Sequence, residues 1–331
     1  MYTTCVVHVT HLMRVRGPHQ FIDSLTLQFP FFAHSLLFLS ISSTSCRHLL
    51  TTRSGSSLGC STGLGRELAL AARKRGDLVI VTARKVESLT DLQERGCQVL
   101  SLDVTADDAT VNEVVAKAHA FYGRIDILIN NAGIAPVGAV EEASSEEIQT
   151  IFDADVFGLL RVTRAVLPYM REKHSGAVAN IGSLAGYAAF PGCGIYAGAK
   201  AAVALISQVL RLEAAPLGIE VTVVDLGAFK TKALTKGFVH ATTISEYDEV
   251  TQGFKQAAAL GGVPATDAAL GAEALIETFT KPGHCVDRVL PSRLPLGVGY
   301  DVIQGILTTG QQELDAWKDF TDPEAFPIQA L

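Results

Sequence analysis

Three observations predict an α/β protein built on a parallel, doubly wound sheet. Short runs rich in Val and Ile, such as DLVIVTAR at 77–84 and DILINNAG at 126–133, recur along the chain. They lack the apolar–polar alternation of a half-exposed strand, so each reads as a strand buried on both faces. Helix-period segments separate them, among them VNEVVAKAHAFYGRI, apolar at 111, 114, 115, 118 and 121. The third observation is a glycine turn, Gly59-Cys60-Ser61-Thr62-Gly63-Leu64-Gly65, that runs straight into the helix former RELALAARKRG. Glycines at that spacing let the backbone approach a pyrophosphate, which the amides and dipole of the helix N-terminus can hold. An ordinary Gly/Ser loop would read the same way from these residues alone.

Composition narrows the partners. The 331 residues suffice for one large domain or two small ones, and 48% hydrophobic against 18% charged residues can fill a sizeable core. A net charge of −7 with no basic stripe excludes nucleic acid as the main partner. Six cysteines lie scattered, with no CxxC and no Cys/His cluster, so neither a disulfide framework nor a metal site is expected. A reducing compartment suits them. No internal repeat is visible.

In chain order, residues 1–54 differ from the rest. They hold several arginines but a single acid, Asp23, and their most apolar run, LQFPFFAHSLLFLSIS, is broken by Pro30 and His34. That run is too short for a firm membrane span. A mitochondrial leader, a weak signal or anchor, and an idle extension such as a misassigned first exon all fit. The expected location is therefore cytoplasmic, or mitochondrial or membrane-bound where the leader is real. The domain proper is expected at 55–331. A buried first strand should precede Gly59, yet HLLTTRSGSSL is polar. Either HLLTT is a degraded first strand or that strand is missing.

The chemistry gathers between Ser183 and Lys200, in SLAGYAAFPGCGIYAGAK. Lys200 follows Tyr196 at i+4, so on a helix the two share a face one turn apart. An ammonium beside a phenol stabilises the phenolate and makes Tyr196 a workable proton-transfer group. Ser183 ends the strand-like run GAVANIGS, where its hydroxyl could hold a substrate oxygen beside the phenol. Alone, a Tyr/Lys pair at this spacing more often only packs. The argument lies in its combination with Asn130-Asn131-Ala132-Gly133 and the glycine turn upstream.

In that order the elements resemble the classical short-chain dehydrogenase/reductase family, over roughly residues 58–320. The resemblance implies a single Rossmann-type domain with a C-terminal substrate cap at about 228–265, and hydride transfer between a nicotinamide cofactor and a ketone or aldehyde. It assigns Gly59, Gly63, Leu64 and Gly65 to the pyrophosphate, Asp103 to the adenine and Asn131 to the adenine ribose. Phe229 and Thr231 fall at the nicotinamide carboxamide, although core packing suits Phe229 equally. Where NAD-specific members carry an acid after the second strand, this chain has Arg84 and Lys85, so NADP(H) is expected over NAD(H). Arg84 also reads as a solvated strand-end cation. By resemblance Tyr196 donates the proton, Lys200 lowers its pKa and binds the nicotinamide ribose, and Ser183 polarises the substrate oxygen; no metal is needed. The tail is similar to that of 17β-hydroxysteroid dehydrogenases and fungal and bacterial reductases. The partner is a small carbonyl or alcohol, of steroid, lipid, sugar or polyketide kind, in a pocket drawing on Ala135, Pro136, Val137, Tyr187 and Phe190. Homodimers or homotetramers are common in the family, and the apolar helices near 151–170 and 196–215 could form such an interface.

Three positions depart from the pattern: Leu58 for the usual Thr, Leu226 for Pro, and Asp155 for the Asn that holds a relay water. A carboxylate at 155 could pair with Lys200, weaken its field on Tyr196 and slow the enzyme, unless Asp155 is only a helix surface residue. These departures leave a second reading, a weak or inactive nucleotide-binding regulator.

Overall fold

The computed structural model describes the backbone of residues 48–52 and residues 63–230, 240–253, 265–280 and 285–321 in full. Seven strands form one sheet: β1 (His48–Thr52), β2 (Leu78–Ala83), β3 (Gln98–Ser101), β4 (Ile127–Asn130), β5 (Gly176–Ile181), β6 (Ile219–Leu226) and β7 (Arg293–Leu296). Their order is β3-β2-β1-β4-β5-β6-β7, and every pair is parallel. The strand order reverses between β1 and β4, so a crevice opens there at the carboxyl edge of the sheet.

HLLTT is the first strand. It pairs Leu50 with Ile80 of β2 on one side and with Leu128 of β4 on the other. It therefore lies on the N-terminal side of the 54/55 boundary expected from the sequence.

Helices cover both faces, and alternation along each strand decides what they meet. In β2, Val79 and Val81 face α1 (Leu64–Lys74) and the helix Ala268–Thr280, in a core with Leu68, Ala72, Leu275 and Phe279. Ile80 faces the other way, into a core that joins Leu128 and Val178 to α3 (Asp108–Tyr122) and α5 (Gly158–Glu172). The intervening helices are α2 (Thr90–Glu94), α4 (Ser145–Phe152) and α6 (Gly194–Ala214); the helix Ala268–Thr280 is α7. Local signals set their ends. The Asp107 carboxylate accepts the Thr110 N–H (2.7 Å) at the start of α3, which stops at Gly123 with φ +70°. Ser144 and Glu147 form a reciprocal capping box on α4.

The tail is helical but little of it is buried against the described residues. Ile303, Ile306, Leu307, Leu314 and Trp317 read as one apolar face of a helix, and α8 (Tyr300–Ala316) does form, followed by α9 (Lys318–Thr321). Only Ile303 is buried, while Leu307, Leu314 and Trp317 are each more than 60% exposed. The periodicity fixed the helix and not what covers it.

Candidate active site

Ser183 stands just beyond the end of β5 in extended conformation (φ −158°), and caps a single 3-10 turn, Leu184–Gly186. Its hydroxyl oxygen accepts the Ala185 N–H (3.1 Å), and the hydroxyl lies close enough to the Tyr196 phenol to favour the ionised form of that phenol. Tyr196 and Lys200 lie in the first two turns of α6, with Lys200 Nζ 5.6 Å from the centre of the Tyr196 ring. The three residues expected to work together are therefore brought together. Lys200 is buried, its ammonium held by the Ile181 carbonyl (3.2 Å) and by Asp155 Oδ2 (3.1 Å).

Asp155 is not a helix surface residue. It sits fully buried in a π-helical turn, Asp153–Phe157, between α4 and α5. Such a turn inserts one residue per hydrogen-bonded ring and swings the side chain inward. Its Oδ1 accepts the Ile134 N–H (2.7 Å), so the carboxylate links the loop after β4 to Lys200. Gly133 makes room for this, because a Cβ there would lie 3.0 Å from Asp155 Oδ2 and 3.3 Å from Lys200 Nζ. Burial pushes the Asp155 carboxyl above its ordinary range, against the pull of Lys200. Lys200 is raised in turn: burial alone would lower it, but the Asp155 carboxylate beside it more than makes that up.

The expected lowering of Tyr196 is not the net result. Burial raises the phenol above its ordinary value, and Asp155 adds to this; Lys200 and the Ser183 hydroxyl only offset part of it. The phenol keeps its proton at neutral pH.

A buried polar chain supports the strands beneath. Asn130 Nδ2 donates to Thr163 Oγ1 (2.9 Å) and Asn180 Oδ1 (2.8 Å), and Asn180 Nδ2 donates to Ser207 Oγ (2.8 Å). These bonds tie β4 and β5 to α5 and α6 and fix the floor on which Ser183 and Tyr196 stand. Sequence reading stopped at Asn131 and missed this chain. Polar residues inside otherwise apolar strands, as in ILIN and GAVANI, were the available signal.

The cofactor-side residues gather at the same edge. Gly63 has φ +69°, a conformation that favours glycine, and precedes α1 without a side-chain cap. Leu64 and Gly65 are buried in the first turn of α1, where its amides suit an anion. Arg84 is exposed directly after β2. Asp103 is half-buried and accepts the Thr105 N–H (3.0 Å) and hydroxyl (2.8 Å), and Asn131 is half-buried at the end of β4. These residues fit a dinucleotide. Phe229 is 5% exposed and its ring fills slots that Gly271 and Gly297 leave open, so its side chain packs the core. Gly59 and Thr231 lie outside the described residues.

Beside the N-terminus of α6 lies an apolar cleft of about 500 Å³, lined by Val140, Phe190, Pro191, Tyr247 and Val250 among others. The Tyr247 phenol donates to Glu141 (2.5 Å), and Glu142 accepts the Ile244 N–H (2.8 Å), so segment 244–247 is pinned to the turn at 140–142. Tyr187, expected in the pocket, instead stacks on Arg293, with the guanidinium carbon 3.4 Å from its ring centre.

The sequence model for short chain dehydrogenase matches residues 57–240. Oxidoreductase BOA17 of Botryotinia fuckeliana is 40% identical over 200 residues, which are 59% of this chain and 72% of that protein. The NADPH-dependent 1-acyldihydroxyacetone phosphate reductase of Schizosaccharomyces pombe is 35% identical over 180 residues, 54% of this chain and 60% of its own. A crystal structure of a short-chain dehydrogenase from Streptomyces avermitilis superposes with a TM-score of 0.74 at 38% identity, covering 84% of this chain and 98% of that one. With the family pattern matched over more than half its length and the same fold around it, this chain belongs to the short chain dehydrogenase family of oxidoreductases.

Proposed function

We propose that the protein reduces a ketone or aldehyde with NADPH. The carrying observation is the convergence of Ser183, Tyr196 and Lys200 at the carboxyl edge of the sheet, with Lys200 Nζ 5.6 Å from the centre of the Tyr196 ring and Ser183 at the turn beside it. The bound nicotinamide supplies the hydride. Ser183 orients the carbonyl oxygen, and Tyr196 gives it a proton as negative charge develops there. Lys200 holds positive charge beneath the phenol and balances the phenolate that the transfer leaves. The phenol is protonated at neutral pH, which is the form that reduction consumes. The apolar cleft beside α6 supports a substrate with a hydrocarbon body next to its carbonyl. Loss of nicotinamide absorbance with NADPH and a panel of apolar ketones and aldehydes tests the assignment; absence of turnover across the panel sinks it.

The preference for NADPH rests on Arg84, exposed just past β2 with no acid in the place that would bind a ribose 2′-hydroxyl. The S. pombe relative, named NADPH-dependent, supports it. A charge-assisted bond to a phosphate contributes roughly 1.5–3 kcal/mol, or about ten- to a hundredfold in affinity. Arg84→Ser should weaken NADPH by that factor and leave NADH unchanged in a fluorescence titration. Equal weakening of both would assign Arg84 to general folding instead.

Asp155 tunes the rate. Asparagine at 155 keeps an oxygen for the Ile134 N–H but removes the negative charge that raises both Lys200 and Tyr196. Asp155→Asn should therefore lower the Tyr196 pKa and speed alcohol oxidation, which needs the phenolate, by up to about tenfold at neutral pH. The pH–rate profile for oxidation should move to lower pH. An unmoved profile would mean that the Asp155 charge does not reach the phenol.

A further inference from the structure

Asp225 and Arg293 form a buried, bidentate ion pair across β6 and β7. Arg293 Nε donates to Asp225 Oδ2 and Nη2 to Oδ1, both at 2.7 Å. The Asp225 side chain is wholly buried and that of Arg293 is 15% exposed. The other contacts of this pair run toward a single place. The Asp225 carboxylate lies against the backbone immediately before Ser183, at Gly182, and the Arg293 guanidinium carries the ring of Tyr187 at 3.4 Å. Ser183 and Tyr187 bracket the turn that presents the serine hydroxyl. The backbone comes close enough for this only through glycine. A Cβ on Gly182 would lie 2.6 Å from Asp225 Oδ1, and one on Gly186 would lie 3.2 Å from the Lys200 main chain and 3.4 Å from Arg293 Nη2.

Stability alone does not account for such an arrangement. A buried ion pair seldom outdoes two well-packed apolar side chains of the same volume, because both charges must be stripped of water. Geometry does account for it. A planar fork fixes a carboxylate in position and direction, and its face accepts an aromatic ring, whereas an apolar pair fixes neither. Here the carboxylate packs against the backbone at Gly182, at one end of the turn, and the stacked ring holds Tyr187 at the other.

We propose that Arg293, Asp225 and Tyr187 are positioning residues for Ser183, holding its turn so that the hydroxyl meets the Tyr196 phenol and the substrate oxygen. This rests on the reductase reading above. The test is a double-mutant cycle of Arg293→Met and Ser183→Ala, read as kcat and as NADPH affinity, with amide hydrogen exchange over residues 182–188 measured on the same proteins. Arg293→Met alone should cost about tenfold in kcat with NADPH affinity within twofold, and almost nothing further once Ser183 is alanine. It should also speed exchange at the Ser183 and Ala185 amides. Arg293→Lys keeps a charge beside Asp225 without the fork or the flat stacking face, so it should fold and give an intermediate kcat. Equal losses in both Ser183 backgrounds, or exchange unchanged by either Arg293 variant, would overturn the proposal. If the wild type turned over no carbonyl, the reductase reading would fall, and the exchange measurement would still decide whether Arg293 orders the turn.

Discussion

Replacing Tyr196 with phenylalanine should lower carbonyl reduction by about two to four orders of magnitude while NADPH still binds within about twofold. The change removes one oxygen and leaves the ring, so the packing of α6 and the ion pair beneath it are undisturbed. What disappears is the proton donor. Stopped substrate turnover beside a normal cofactor titration is the expected pattern, and it separates this enzyme from a nucleotide-binding regulator. The wild type carries a further mark. Its phenol is raised by burial and by Asp155, so reduction should persist on the alkaline side and fail only as pH passes that raised value. A Tyr196→Phe protein that retained most of its turnover would mean that the proton comes from elsewhere, with Ser183 the first group to examine.

The sequence carried the sheet well, because strands buried on both faces are rich in Val, Ile and Leu, and β2, β4 and β6 are such runs despite a few polar residues. It carried β1 poorly for the same reason. HLLTT has no apolar excess, and its place is set by pairing with β2 and β4, which local composition does not record. Ser183, Tyr196 and Lys200 were legible because a helical turn and a strand end are short-range facts. The inward turn of Asp155 was legible only through the family resemblance, which left a pairing with Lys200 and a place on the helix surface both open. It depends on a π-helical bulge, and nothing in DADVF distinguishes that bulge from a straight helix with a solvated carboxylate. The Arg293–Asp225 pair lay beyond local pattern too, since its partners are 68 residues apart and meet only once β7 adds to the edge of β6.

Lys200→Met should be the most destabilising change at the site, by roughly 3–5 kcal/mol near neutral pH, together with loss of turnover. The reason is the partner left behind. Asp155 is fully buried and its charge is offset by the Lys200 ammonium at 3.1 Å and by one amide hydrogen bond. Without the ammonium, the carboxylate can escape the cost of burial only by binding a proton. Its folded pKa, already raised above the ordinary 3.8, would rise further. A group raised in the folded state adds stability below its unfolded pKa and loses it as pH climbs through the folded value. The deficit of Lys200→Met relative to the wild type should therefore be small in acid and widen toward neutral pH, as read from urea midpoints across that range. In the wild type Lys200 is itself raised, so its contribution holds through neutral pH and is lost only on the alkaline side, above the ordinary 10.5. Adding Asp155→Asn to Lys200→Met removes the stranded charge while keeping an acceptor for the Ile134 N–H, and most of the stability should return without the activity. A deficit that does not vary with pH, or a double variant no more stable than the single one, would mean that the lost lysine stem is felt as a packing defect. The charge on Asp155 would then matter little to the fold, and its influence on Tyr196 would have to be small as well, since both effects draw on the same few ångströms of dry protein.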